Sequence, residues 1–201
     1  MSGIRSKYLW PTLNAVDEAG RVYYNSSCPE DTNYQIPFPP VDVQSPPKSA
    51  RGFAAVQAIF VRSEKTVVTA GGPGIIRVRI GSVSESILRT NISAIRMAPL
   101  ARYNAGLAIN AIESTPEIQS AERHLGIRLP SLPFDMLVAQ PRQGLPHLPE
   151  LLTNLTMDQA LDDVAKTFQG IVEYGYCSPP STYDITFTGG IYFDERVLND
   201  R

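Results

Sequence analysis

Two cysteines, two histidines and a scatter of carboxylates are the residues of this 201-residue chain whose types could do chemistry, and their spacing assembles little. Cys28, in YYNSSCPED, and Cys177, in YGYCSPP, stand beside proline in loop-like sequence, outside the apolar periodic runs where a free structural cysteine normally hides. A long-range disulfide between Cys28 and Cys177 would close a long loop and stabilise by roughly 2–4 kcal/mol. Two independent thiols fit the sequence equally well, because pairing cannot be deduced from it. Cys177 as a nucleophile with either histidine is a third use, and nothing local supports it. His147, in LPHLPE with Glu150, offers half of a metal site, but no second histidine or cysteine pair has ligand spacing. His124 falls near the end of a helix, where the dipole favours a cation and explains it structurally. Asp162 with Asp163, and Asp194 with Glu195, are adjacent carboxylates, which on a helix or tail point apart and face water. G-x-S-x-G is absent. Gly71-Gly72-Pro73-Gly74 is followed by the alternating IIRVRI, where a phosphate loop needs a helix and a lysine. The sequence therefore assigns no catalytic, metal-binding or cofactor-binding residue, and no cofactor is expected.

The elements that must position these residues are clearest from Thr153 to Phe193. Thr156 caps a helix, with Gln159 reaching back three residues later and Asp158 at the positive end of the dipole. Met157, Leu161, Val164 and Phe168, with Ala160 and Ala165, form its apolar stripe; Asp162, Asp163 and Lys166 are left for water, and Gly170 closes the helix in the left-handed conformation. Ile171 to Tyr174 and Tyr183 to Phe187 then read as two strands of a hairpin around Ser178-Pro179-Pro180-Ser181. A similar order precedes it: a short strand from Val41, a helix over Ser49 to Phe60, strands over Thr66 to Ala70 and Ile75 to Ile80, and the glycine turn between them.

Between these halves the spacing predicts a helix over Ser84 to Ile95 and one or two more from Leu100 to Ile127, with Thr115 as a cap, Pro116 at a first helical position and Gly126 as a stop. Pro130 to Pro149 is a linker containing the apolar run Phe134 to Val138. Residues 1–45 read as an extended, proline-rich arm, since Pro11, Pro29, Pro37, Pro39 and Pro40 interrupt any long helix or central strand, and Trp10, Tyr23, Tyr24, Tyr34 and Phe38 would pack it on the body. The expected fold class is α+β: two strand-helix-strand-strand halves, 41–83 and 150–193, with a helical hairpin between them and an extended N-terminal arm. Residues 46–201 form one domain in this reading, with helices on one side of an antiparallel or mixed sheet.

Composition excludes several functions. A net charge of -2 without a basic run lacks the electrostatic footprint of a nucleic-acid binder, and no apolar run is long enough for a transmembrane segment. Hydrophobic residues at 43% suffice for a globular core. Met1 to Trp10 has no secretory apolar core, so the chain reads as cytoplasmic or as a mature form whose leader has been removed. Asn25-Ser26-Ser27, Asn91-Ile92-Ser93 and Asn154-Leu155-Thr156 match the glycosylation acceptor, a pattern short enough to recur by chance.

LTNLTMDQALDDVAKTFQGIVEYGYC, a strand, a helix with a DQAL core and a following hairpin, resembles the short N-terminal domains of secretins and TonB-dependent receptors, and the segment around Val41 to Val83 extends the resemblance. It implies a periplasmic or extracellular module, without catalytic residues, that acts by contacting another protein or copies of itself. Three functions stay open on sequence: such a non-enzymatic binding or assembly module, an enzyme of unrecognised class using Cys177 or His147, and a structural subunit of a larger assembly. The free edges of the two hairpins are the surfaces such a binding module would use.

Overall fold

The Thr156 hydroxyl accepts the Gln159 amide at 3.2 Å while the Gln159 side chain accepts the Thr156 amide at 2.9 Å, so the capping box read from the sequence is formed. It starts the helix around which the rest packs. The computed structural model describes residues 21–25, 52–64, 66–71, 74–80, 85–128, 145–177 and 182–189. They form an α+β fold: strands β1 (Arg21–Asn25), β2 (Thr66–Ala70), β3 (Ile76–Ile80), β4 (Asn91–Arg96), β5 (Leu151–Thr156), β6 (Gly170–Cys177) and β7 (Thr182–Gly189), and helices α1 (Gly52–Ile59), α2 (Ala105–Glu113), α3 (Pro116–Leu125) and α4 (Met157–Thr167). Among the described residues no helix is long and apolar enough to cross a membrane.

Five strands form a mixed sheet in the order β2-β3-β1-β6-β7. β1 lies parallel to both β3 and β6, and the hairpins β2-β3 and β6-β7 are antiparallel, as their turn chemistry predicts. The middle strand, β1, comes from the segment expected to be an arm. The prolines at 11 and 29 leave a proline-free window between them, and the β-rich RVYYN inside it is long enough for a five-residue strand. The remainder of residues 1–45, the short strand from Val41 and the run Phe134 to Val138 lie outside the described residues.

β4 and β5 make a separate antiparallel pair. This corrects the helix expected over Ser84 to Ile95, which is a single 3-10 turn at Ile87–Arg89 followed by β4. Ile92 and Ile95 are both buried, a spacing that imitates a helix face. The ladder is interrupted between them: Asn154, opposite Ser93, has φ 54°, and the Ser93 amide and hydroxyl instead donate to Glu117 Oε1 at 3.0 and 2.5 Å. Those hydrogen bonds, the hydroxyl's above all, hold the Glu117 carboxyl below its ordinary pKa.

α2 and α3 form the expected helical hairpin. Asn104 caps α2 by accepting the Leu107 amide at 2.9 Å, Pro116 opens α3, and Gly126 closes it at φ 65°. Thr115 is positioned as the cap of α3, but its hydroxyl donates to Ile112 O at 2.8 Å instead. Closing α4 falls to Gln169, at φ 47°, and not to Gly170, which is already the first residue of β6 opposite Gly189.

The main core collects Ile92, Ile95, Ile109, Ile112, Ile118, Leu152, Leu161, Val164, Val172, Tyr174 and Ile185 from α2, α3, α4, both strands of the β4-β5 pair and one face of the large sheet. α1 lies elsewhere. Alternation puts Ile76 and Val78 on the face opposite Arg77, both are buried, and Val68 opposite Val78 is half-buried, whereas Val67 on the other face is 44% exposed. Since α1 contacts β2 and keeps Ala55, Val56 and Ile59 out of the main core, it covers that opposite face. Helices therefore flank the mixed sheet on both sides.

Thr156→Ala removes one half of the capping box and is expected to lower the unfolding free energy by about 1 kcal/mol, with Thr156→Ser restoring most of it. Urea titrations of the three proteins check this; equal midpoints would show that packing alone sets the start of α4.

Candidate functional site

β2 is an end strand of the sheet, and its sequence TVVTA contains no charge and no proline. Natural edges are commonly blunted by such residues. The Gly71 amide donates to Ile75 O at 2.9 Å across the turn. Period-two alternation from Gly71 turns the backbone groups of Thr69 and Val67 toward β3 and those of Val68 and Ala70 outward. Among the described residues no strand pairs with that outer side. Val67, on β2 itself, is 44% exposed and adds apolar surface to the strand. Part of each edge is occupied within the chain: the Thr66 amide at the start of β2 donates to Ser63 O at 3.2 Å, and the Tyr183 amide at the start of β7 donates to Arg128 O at 3.0 Å, which leaves Val68 and Ala70 as the outward residues of β2 without such a bond among the described residues.

Behind the β2 edge, Arg77 ties β3 to α4. Its Nη2 donates to Asp158 Oδ2 at 2.7 Å and to Asp162 Oδ2 at 2.6 Å, two carboxylates one helical turn apart, and all three side chains are largely shielded from water. Asp162, expected to face water, is thus drawn into an ion-pair cluster. Burial raises its pKa to about 6, outweighing the opposing pull of Arg77, and the charge on Asp158 adds to the rise. Gly71 makes room for this arrangement: a Cβ there would lie 2.6 Å from Ile75 Cγ2 and 2.8 Å from Arg77 Nη1. Ile75 with Asn154, Gln159, Asp162, Asp163 and Lys166 lines an open cleft of about 370 Å³. Burial also raises the Asp163 carboxyl, against the influence of Lys166.

A second cleft, of about 600 Å³, lies between α2 and the end of α3, with Glu113, Glu122, Arg123 and Arg128 in its wall. Beside it the Tyr183 hydroxyl donates to Glu122 Oε1 at 2.7 Å. Burial first, and then this hydrogen bond, keep that hydroxyl protonated well beyond the ordinary tyrosine range. Glu113 is buried, at 4% exposure.

The residues singled out from sequence are not brought together. Cys28 lies outside the described residues, and of Cys177 only the backbone at the end of β6 is described. His147 is exposed, its ring 5.1 Å from that of Tyr103 and its Nδ1 3.0 Å from Leu145 O. Glu150 turns to Arg96, whose Nη1 donates to Oε1 at 2.9 Å. The described walls of the two clefts do not include His147, and His124 is exposed in the last turn of α3. Asp194 and Glu195 lie outside the described residues.

Sequence reasoning missed Arg77, the Asp158–Asp162 pair and the Tyr183–Glu122 hydrogen bond. The four-residue spacing of the two aspartates was a signal for a shared cation; nothing in the sequence named Arg77 as that cation. The arrangement can hold β3 against a helix and offer a row of backbone donors and acceptors at β2. No family model, no characterised protein and no solved structure matches the chain.

Proposed function

We propose that this chain is a non-enzymatic binding module that works through protein–protein contacts, taking an extended segment of its partner onto the outer edge of β2. One observation carries the reading: an end strand whose outward backbone groups at Val68 and Ala70 meet no strand among the described residues and whose sequence holds none of the charges or prolines that normally blunt an edge. Strand addition supplies main-chain hydrogen bonds, and the exposed Val67 favours β-branched or aromatic side chains opposite it. The Arg77 cluster serves this function by fixing β3, the strand against which β2 is held. The resemblance to the N-terminal modules of secretins and TonB-dependent receptors points to the same mode of action, with a protein partner in the bacterial envelope or outside the cell.

Val68→Pro tests it. Proline at an outward-facing position of an edge strand removes a donor that the partner needs and none that β3 uses. Wild-type protein should retain its partner from an extract of the native source, and the substituted protein, with an unchanged circular dichroism spectrum, should bind that partner at least tenfold more weakly. Equal binding by the two proteins would remove β2 from the interface.

A further inference from the structure

We infer that the Asp158–Arg77–Asp162 cluster is a proton-operated latch on the β2-β3 hairpin: while Asp162 carries a proton, α4 holds the hairpin closed, and when the proton leaves, the hairpin loosens. The inference stands apart from the reading of β2 as a binding edge. α4 packs on β1, β5 and β6. It is tied to the hairpin through Arg77, whose Nη2 donates to both Asp158 Oδ2 and Asp162 Oδ2. Beside that tie the cleft of about 370 Å³ opens between Ile75, next to the first residue of β3, and Gln159, Asp162, Asp163 and Lys166 of α4. The cleft gives this end of the hairpin room to move and gives the Asp162 proton a path to water.

Asp162 is poorly provided for as an anion. Its Oδ1 is buried and accepts no hydrogen bond among the described residues, and its Oδ2 shares one nitrogen with a second carboxylate. Asp163, beside it, adds another negative charge. The other groups around α4 are turned elsewhere: Lys166 acts on Asp163, β5 has no ionisable side chain, Val22 of β1 and Val172 of β6 stand level with Arg77, Glu113 of α2 acts on Tyr183, and Arg79 and Arg89 turn to Glu85. Opening returns the Asp162 carboxyl to water and to its ordinary value of 3.8, whereas in the closed form burial holds it at about 6. The closed form thus binds the proton more tightly; its advantage is complete below the ordinary value and is lost as pH rises through about 6. With these two values, opening becomes about tenfold more frequent between pH 5 and pH 7.5.

Hydrogen exchange of the full chain, read by mass spectrometry over a pH series and corrected for the intrinsic pH dependence of amide exchange, tests the latch. Protection in peptides covering residues 66–80 should fall about tenfold from pH 5 to pH 7.5, while protection in α3 should hold. Asp162→Asn, which keeps an acceptor for Arg77 and cannot ionise, should show the pH 5 protection at both values. Asp158→Asn should move the loss of protection to lower pH, because the charge on Asp158 helps to raise Asp162. Should Asp162→Asn fail to fold, that shift decides alone. Protection over 66–80 that does not change with pH overturns the inference, as does a change that Asp162→Asn retains, that Asp158→Asn leaves in place, or that α3 shares in full.

Discussion

Arg77→Met should lower the unfolding free energy by about 3 kcal/mol at pH 7.5, because it keeps the apolar stem and removes the cation that offsets two shielded carboxylates. Breaking a fully buried pair from one side costs 3–5 kcal/mol or so; the lower figure applies because the Asp158 and Asp162 side chains are 27% and 17% exposed. The deficit must depend on pH in a definite direction. Asp162 has a folded-state pKa raised from 3.8 to about 6, so it binds its proton more tightly in the folded protein than in the unfolded one. Its contribution to stability is fully present below the unfolded value and is lost as pH rises through about 6. Arg77 relieves the charged form. Acidification from pH 7.5 toward pH 4.5 should therefore shrink the difference between Arg77→Met and wild type by about half or more, as Asp162 takes up its proton. Urea midpoints at the two pH values measure this. A deficit that stays constant with pH would assign the role of Arg77 to packing of its stem and not to its charge.

What could be read from sequence was local. The Thr156–Gln159 capping box, the apolar stripe from Met157 to Phe168, the proline start of α3 and its glycine stop all lie within a few residues of the features that specify them, and they are where the spacing put them. β4 was hidden because its ladder breaks at Ser93 and Asn154, so Ile92 and Ile95 are buried three residues apart like a helix face. β1 was hidden by the prolines on either side, although the sheet needs RVYYN as its centre. Gly170 was the better left-handed residue by intrinsic preference, yet pairing with Gly189 claims it and Gln169 takes the turn. The candidate site is less legible still. TVVTA reads as a strand anywhere, but that it ends the sheet depends on β1 filling the space between β3 and β6. Arg77 meets its carboxylates across 81 and 85 residues of sequence, a distance over which no spacing rule operates.

Leu161→Ala should cost about 3 kcal/mol, within the range of 2–5 for a buried leucine truncated in a packed core. Leu161 is fully buried on α4, and that helix packs against α2, β1, β5 and β6. It thus stands between the two sheets and belongs to neither. This position predicts more than a loss of stability. If α4 joins the β4-β5 pair to the five-stranded sheet as one cooperative core, amides in β5 and in β6 should lose hydrogen-exchange protection by the same free energy when Leu161 is truncated. Loss confined to β5 would mean that the β4-β5 pair opens with α4 while the large sheet stays closed. In that case the β2 edge would survive a mutation that dissolves the helical layer, and binding at β2 would persist in Leu161→Ala. A shared loss instead ties the edge to the core: α4 carries the aspartates that hold Arg77, Arg77 steadies β3, and β3 holds β2 in register for whatever strand it receives.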